Sequence, residues 1–209
     1  LLNNRDLKLR GFFRTCVFLP CATSLVSYAL IFRFLFAQDG FVNNVLVGLG
    51  ILDQGYNFLG NAISAKIVII IALVWRWTGY NMVFYLAGLQ NIEYSEYEAA
   101  KIDGASRFQC FRTITLPLVT KLSIPLVIST FAANFNNFGN IYMITQGGPA
   151  RVDNQFAGYT DILASTTYKM TTWSNRYELS ATFSVLIFLI VGTFTLINMR
   201  MSGAFKEVD

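Results

Sequence analysis

The stretch "EYEAAKIDGASRFQCFRTITLPLV", residues 96–119, is the most informative part of the chain. It mixes acidic and basic side chains, yet apolar runs long enough to cross a membrane lie on both sides of it. Residues Glu96–Ile102 favour a helix, Gly104 favours a turn, and Ser106 can cap a second helix. The sequence therefore predicts a helix–turn–helix element over residues 93–115 that leads directly into the next apolar run.

The composition places most of this chain in a membrane. Of its 209 residues, 54% are hydrophobic and only 13% are charged, whereas globular domains average about a quarter charged. A spanning helix needs about 20 predominantly apolar residues. The segments that meet this need are residues 12–37, 67–89, 116–144 and 179–199. The sequence predicts a single all-α polytopic membrane domain over residues 1–209.

The distribution of Lys and Arg predicts the orientation of these spans. With Arg14 and Lys121 counted at the ends of the first and third spans, ten of these residues lie at the start of the chain, around residues 93–115 or in the tail, whereas four lie in the loops 38–66 and 145–178. Loops with more Lys and Arg face the cytoplasm. Both ends and residues 93–115 are therefore expected in the cytoplasm, and residues 145–178 form the predicted outer loop.

Several classes of function have no support in the sequence. The chain contains no histidine, which is the commonest general base and transition-metal ligand. The cysteines Cys16, Cys21 and Cys110 show no C-x-x-C spacing, so they are expected to be free thiols. The chain also lacks the G-x-x-x-x-G-K-[ST] motif that binds nucleotide phosphates. We expect no metal site, no enzymatic activity and no ATP hydrolysis by this chain itself.

The predicted outer loop carries its own structural signals. Residues 146–150, "QGGPA", favour a turn because glycine tolerates positive φ and proline fixes the exit. Tyr159, Ile162, Leu163 and Thr166 then recur at helical spacing, which predicts a short helix. This helix is too polar to span a membrane, so a packing or lid role is expected.

A row of asparagines marks the third span. Asn134, Asn137 and Asn140 recur at i, i+3 and i+6, with Phe135 and Asn136 beside them. An amide that faced lipid at membrane depth would have no hydrogen-bond partner. These asparagines should therefore face protein or a polar ligand. The pattern alone leaves two explanations open, hydrogen bonds between helices or binding of sugar hydroxyls.

The second span contains the segment "WRWTGYNMVFY", residues 75–85. Arg76 lies well inside this span, and a charged side chain there is expected to face protein or water rather than lipid. Trp75, Trp77 and Tyr80 are compatible with packing or with a belt at the membrane interface.

The first stretch closely resembles the EAA signature of permease subunits in binding-protein-dependent ABC importers. The matching positions are Glu98, Ala99, Ala100, Gly104, Ala105, Phe111, Ile114, Leu116 and Pro117. The resemblance implies that residues 93–115, here called the coupling element, dock on a cytoplasmic ATPase subunit. The residues implied in this contact are Glu98, Ala99, Ala100, Gly104, Ala105 and Phe108.

The resemblance extends along the chain to the larger membrane subunit of maltose/maltodextrin importers. Residues 131–150, "FAANFNNFGNIYMITQGGPA", and residues 197–209, "INMRMSGAFKEVD", carry it. It implies a type I ABC importer permease core in the cytoplasmic membrane of a bacterium, with further helices upstream of Leu1. The implied partners are a second permease subunit, an ATPase dimer that binds ATP and Mg, and a solute-binding protein that delivers an oligosaccharide.

The same resemblance implies a sugar site. Its residues would be Asn134, Asn137, Asn136, Phe135, Thr78, Gly79 and Met82. Here Asn81-Met82 replaces a Pro-Tyr pair of the best-known members, and Cys21 replaces a tyrosine, so another sugar or a polyol stays open. An ion-coupled secondary transporter is a weaker alternative, because it should carry acidic residues inside its spans and these spans carry none.

Overall fold

The computed structural model describes residues 8–90, 92–135 and 137–201 and folds them into helices joined by turns, with no β-strand among these residues. The α-helices are α1 (Arg10–Ala22), α2 (Leu25–Leu35), α3 (Phe41–Gly48), α4 (Ala62–Gln90), α5 (Tyr94–Ile102), α6 (Arg107–Cys110), α7 (Leu116–Phe135), α8 (Phe138–Thr145), α9 (Leu163–Thr172) and α10 (Tyr177–Met201). A π-helix over Phe111–Thr115 joins α6 to α7. The architecture is all-α, as the sequence predicts.

Two of these helices have the dimensions of a membrane span. Among the described residues, α4 and the Tyr177–Ile197 part of α10 are long and apolar enough to cross a membrane, and the pair of α1 and α2 also qualifies if it forms one broken span. The predicted spans 67–89 and 179–199 lie inside α4 and α10. The exact limits of the spans in a membrane stay a prediction.

The apolar run 12–37 forms two helices instead of one. Pro20 lies inside α1, where it cannot donate the backbone hydrogen bond that a helix requires. Ser24 then caps α2, because its hydroxyl accepts a hydrogen bond of 3.1 Å from the N–H of Ser27. The cap starts a new helix within a run whose hydrophobicity is continuous.

The apolar run 116–144 is also divided, into α7 and α8. Asn137 leaves the helical conformation, with φ −84° and ψ 61°, and directly precedes α8. Asparagine side chains compete with the backbone for hydrogen bonds and weaken a helix interior. The asparagine row therefore crosses a break instead of following one face of a continuous helix, as its spacing had indicated.

Pro117 lies in the first turn of α7 but is preceded by other helical structure. Helical structure already extends from α6 through the π-helix into α7, so Pro117 has a helix in front of it. The N–H of Leu116 bonds to the carbonyl of Phe111, five residues earlier. This wider turn accommodates a residue that lacks an N–H and whose ring crowds the preceding turn.

The chain forms two compact units. The first comprises Leu1–Ala22, Trp77–Ala132 and Thr195–Asp209, and the second comprises Thr23–Arg76 and Ala133–Phe194. The first unit contains the coupling element. The second contains the asparagine row and the predicted outer loop.

The second unit has an aromatic core. The buried residues at its centre are Tyr28, Ala29, Phe32, Val68, Ile69, Ala72 and Ile144. The ring of Tyr28 stacks on that of Trp75 with centroids 6.4 Å apart. The guanidinium carbon of Arg76 lies 4.9 Å from the centroid of the Tyr28 ring. Arg76 therefore faces protein, which confirms the prediction, and the contact is within the range of a cation–π interaction.

Candidate functional sites: the coupling element and the asparagine row

The coupling element forms the predicted helix–turn–helix. α5 ends at Ile102, and Gly104 makes the turn with φ +78°. Ser106 caps α6: its hydroxyl accepts from the N–H of Gln109 at 3.3 Å, and the Gln109 side chain accepts from the N–H of Ser106 at 2.7 Å. This reciprocal pair is a capping box, which satisfies two backbone donors at the start of the helix.

The predicted coupling residues lie on both arms of this element. Glu98, Ala99, Gly104 and Phe108 are exposed, whereas Ala100 and Ala105 are half-buried. The N–H of Ala105 donates to the carbonyl of Ala100 at 2.9 Å, which closes the turn. Glu98 and Ala99 are thus available for contact with a partner, while Ala100 and Ala105 shape the turn.

One exposed residue of the coupling element was missed from the sequence. Ile102 at the end of α5 is 86% exposed, and Phe108 at the start of α6 is 70% exposed. Two large apolar side chains exposed on an otherwise charged element indicate a candidate protein contact. The available signal was the position of Ile102 between Lys101 and Asp103, where an apolar side chain has no core to enter.

The asparagine row forms a chain of amide hydrogen bonds across the break between α7 and α8. The amide of Asn140 donates to the side-chain oxygen of Asn137 at 2.6 Å, and the amide of Asn137 donates to that of Asn134 at 3.3 Å. The backbone N–H of Asn137 also bonds to the carbonyl of Asn134 at 3.1 Å. Asn136, the fourth predicted asparagine, lies outside the described residues.

The two ends of the asparagine row differ in exposure. Asn140 is only 4% exposed, and its side-chain oxygen has no hydrogen-bond partner within the described part of the chain. Asn134 is exposed, and Phe135 and Asn137 are half-buried. The row thus connects the interior of the second unit to its surface. At the inner end, Asn140 bonds to the residue that caps its own helix, and at the outer end Asn134 is exposed at the surface.

The remaining predicted sugar-site residues lie on α4 in the first unit, where Thr78 is exposed and Met82 is half-buried. Gly79 is buried, and a side chain there would collide with the carbonyl oxygen of Val17 and come within 2.6 Å of the Phe18 Cα. The missing side chain of Gly79 therefore accommodates the backbone of α1. A site shared with the asparagine row stays a prediction.

The predicted outer loop is organised around a buried ion pair that sequence analysis missed. The ammonium of Lys169 lies 2.6 Å from Asp161, with side chains 11% and 0% exposed. The Asp161 carboxylate also accepts from the N–H of Gly158 at 2.7 Å and the hydroxyl of Ser165 at 2.8 Å. A buried charge requires such compensation.

The short helix of the outer loop begins later than its spacing predicted. α9 begins at Leu163, so Tyr159 and Ile162 precede it. The hydroxyl of Ser165 accepts a hydrogen bond of 2.9 Å from the N–H of Ile162, which fixes the start of the helix. The correction arises because these polar bonds outweigh the apolar periodicity.

The "QGGPA" turn packs directly on this ion pair. Gly147 has φ +83°, and a side chain there would collide with the carboxylate of Asp161 and the ammonium of Lys169. The carbonyl of Gly147 in turn occupies the space that a side chain at Gly158 would need. The predicted turn is confirmed, and the loop is closely packed around it.

An all-helical chain with membrane-length helices and an exposed, mixed-charge helix–turn–helix between them defines a polytopic membrane protein. The chain belongs to the family of binding-protein-dependent transport system inner membrane components, whose model matches residues 2–203. This confirms the family inferred from the EAA-like stretch.

Curated relatives include three sugar permeases. The chain is 45% identical over 152 residues to the lactose transport system permease protein LacF of Rhizobium radiobacter, covering 72% of this chain and 51% of that one. It is 40% identical to the maltose/maltodextrin permease MalF of Vibrio cholerae, covering 94% and 38%, and 38% identical to the galactooligosaccharides permease GanP of Bacillus subtilis, covering 99% and 49%. The chain thus spans about half the length of these relatives or less.

Solved structures support the fold. A bacterial ABC transporter involved in the import of the acidic polysaccharide alginate aligns with a TM-score of 0.76 at 23% identity, covering 96% of this chain and 68% of that one. A second structure, of an alginate ABC transporter in complex with a pentasaccharide-bound periplasmic protein, aligns with a TM-score of 0.74 at 24% identity, covering 98% and 69%. Both confirm the type I ABC permease fold.

Proposed function

We propose that this chain is a transmembrane subunit of an ATP-driven importer that moves an oligosaccharide across the cytoplasmic membrane of a bacterium. A solute-binding protein delivers the sugar to the outer side of a heterodimeric permease. A separate ATPase dimer binds ATP and Mg and drives the change between outward-facing and inward-facing states. Both ends of the described chain and the coupling element lie on the cytoplasmic side, as the Lys and Arg distribution favours.

The observation that carries this proposal is the exposed apolar surface of the coupling element. Ile102 and Phe108 project from the two arms of a turn made by Gly104, with Glu98 exposed on the first arm. A partner that offers an apolar cleft and a basic group fits this surface. Movement of that partner on ATP binding would reach α7 through α6 and the π-helix, because these segments form one helical stretch.

Site-specific cross-linking in the assembled transporter tests the contact with the ATPase. Ile102→Cys, in a variant without the native cysteines, should form a cross-link to a cysteine placed in the ATPase cleft. Val152→Cys is the matched control, because Val152 is a fully exposed apolar residue of the predicted outer loop. Absence of a cross-link at position 102 in every nucleotide state would contradict the proposal.

The proposed substrate class is an oligosaccharide, bound by the exposed end of the asparagine row. Amides of Asn134 and Asn137 can donate to and accept from neighbouring hydroxyls, and Phe135 offers an aromatic ring to the apolar face of a sugar. Thr78 and Met82 are proposed to line the same pathway. The names of the relatives span lactose, maltodextrins and galactooligosaccharides, and all of those sugars carry many hydroxyl groups that amides can bind.

An uptake panel tests the substrate class. Proteoliposomes that contain the complete transporter are supplied with lactose, galactooligosaccharides, maltodextrins, arabinooligosaccharides and polyols, each with its cognate binding protein. Asn137→Ala should reduce uptake of the accepted sugar at least tenfold. The side-chain amide of Asn137 can form two hydrogen bonds with sugar hydroxyls, and each contributes about 1 kcal/mol. Asn44→Ala, at an exposed asparagine of α3, should leave uptake unchanged. Equal uptake by both variants would remove the asparagine row from the site.

A further inference from the structure

The two arms of the coupling element line an open cavity, and a long-range hydrogen bond joins two of its lining residues. The cavity has a volume of about 270 Å³, and it is lined by Tyr97, Lys101, Ala105, Arg107, Cys110, Phe111 and Thr115. The hydroxyls of Tyr97 on α5 and Thr115 lie 2.7 Å apart, although the residues are 18 positions apart in the chain. This bond joins α5 to the far arm well away from the turn.

The turn itself offers little resistance to bending. Its backbone hydrogen bonds connect residues within five positions of one another, such as the N–H of Gly104 with the carbonyl of Lys101. No atom lies within 4 Å of the space that a side chain at Gly104 would occupy. A force on α5 could therefore be absorbed by rotation about the glycine, unless a second connection holds the two arms together.

The position of Thr115 makes it suited to this role. Thr115 is the last residue of the π-helix, and α7 begins at the next residue. A bond at Thr115 therefore attaches α5 to the first turn of α7 and bypasses both Gly104 and the wider turn of the π-helix. Such π-helical turns are frequent at functional sites and mark points where a helix can rearrange.

We propose that Tyr97 is a positioning residue, whose hydrogen bond to Thr115 makes α5 and the start of α7 move as one body when the ATPase moves. This inference rests on the proposed function, because it assumes that the coupling element receives the movement of an ATPase. Tyr97 itself does not contact nucleotide or sugar in this assignment. It determines how much of the ATPase movement reaches the spanning helix.

The transport-to-hydrolysis ratio tests the proposal. In proteoliposomes with the complete transporter, Tyr97→Phe should reduce sugar transported per ATP hydrolysed about two- to tenfold, the range that loss of one hydrogen bond produces. Thr115→Val should have the same effect, and the double variant should match either single variant, because all three remove the same bond. Tyr85→Phe is the matched control, since Tyr85 bonds to Ser123 at 3.1 Å outside the coupling element.

A second measurement reports on the arms without requiring transport. Cys110 is buried and lines the same cavity. In a transporter with Cys16→Ser and Cys21→Ser, Tyr97→Phe should raise the rate at which N-ethylmaleimide modifies Cys110, because the arms separate more often. Tyr85→Phe should leave this rate unchanged.

The outcomes separate the two levels of the argument. An unchanged transport-to-hydrolysis ratio in Tyr97→Phe overturns the inference, whether or not Cys110 becomes more reactive, while the proposed function stands if Ile102→Cys still cross-links to the ATPase. A reduced ratio together with faster modification of Cys110 supports it. If Ile102→Cys with Tyr97 intact forms no cross-link to the ATPase, the proposed function and the inference fall together.

Discussion

Two glycines of this molecule have nearly the same φ angle but opposite surroundings. Gly104 in the coupling element has φ +78° and Gly147 in the predicted outer loop has φ +83°. A side chain at Gly104 would meet no atom within 4 Å, whereas one at Gly147 would collide with the ion pair of Asp161 and Lys169. The first turn is open and the second is filled by other parts of its own unit.

The same contrast holds for the regions around these glycines. The coupling element leaves the side chains of Ile102 and Phe108 mostly exposed. The outer loop instead encloses the carboxylate of Asp161, which has an ion-pair partner and two further hydrogen bonds. One region presents surface for a partner, and the other satisfies its polar groups internally. The following changes test whether stability resides in the second region and coupling in the first.

The largest loss of stability is expected from Asp161→Ala. It leaves the ammonium of Lys169 buried without its partner, which typically costs about 3–5 kcal/mol. Thermal unfolding of the purified transporter in detergent should show a marked fall in the midpoint. Asp161→Leu combined with Lys169→Met should be less harmful, because it removes both charges. Equal midpoints for Asp161→Ala and wild type would show that this ion pair does not stabilise the loop.

The two glycines should differ when each is replaced by alanine. Gly147→Ala combines a strained left-handed backbone with a collision, so we expect a loss of about 2–5 kcal/mol. Gly104→Ala carries only the backbone term of about 1–2 kcal/mol. Gly50→Ala is the control, because Gly50 has φ +69° and open surroundings. Thermal midpoints in which Gly104→Ala is as destabilised as Gly147→Ala would refute the contrast.

A smaller and local effect is expected from Ser106→Ala. It removes the capping box of α6, and loss of such a cap costs about 1 kcal/mol. Hydrogen exchange followed by mass spectrometry should show faster exchange in peptides that cover residues 106–110. Peptides that cover α9 in the outer loop should exchange as in wild type. Faster exchange in both regions would mean that the coupling element and the loop do not behave independently.

The smallest effect concerns the exposed pair of Arg151 and Asp153 in the outer loop. The hydrogen bond from Arg151 holds the pKa of the Asp153 carboxyl below its ordinary value. A lowered pKa in the folded state contributes stability above the ordinary pKa of about 3.9, and this contribution is lost as the pH falls through the folded-state pKa. Because the pair is exposed, solvent screens it. Asp153→Asn should therefore lower the thermal midpoint only slightly and by the same amount at every pH from 5 to 8, and a difference from wild type that varies with pH within that range would contradict the assignment.

The sequence predicted the coupling element in detail because its signals are local. A glycine for positive φ and a serine followed three residues later by glutamine determine the turn and the cap through atoms only a few positions apart. Gly104 and Ser106 accordingly adopt the predicted roles. The family followed from the same residues, since their spacing is specific.

Other features depend on residues that are brought together only by folding. The amide hydrogen bonds from Asn140 to Asn137 and from Asn137 to Asn134 run across a break between α7 and α8 that the apolar run does not reveal. Gly79 packs on α1, more than 60 residues earlier in the chain. Sequence spacing indicated one helical face for the asparagines, and the family resemblance implied a sugar contact for Gly79. The helix break and the packing of Gly79 on α1 become apparent only in the structure.

The amino-acid sequence by itself determined the membrane class, the helical content and the turn at Gly104, because hydrophobic run length and local backbone preference act over a few turns of chain. Only the tertiary structure decided where the long apolar runs break, which glycines are enclosed, and that Asp161 and Lys169 form a buried pair. These outcomes depend on excluded volume and on the desolvation of polar groups. Both are set by atoms that meet only after the helices have packed.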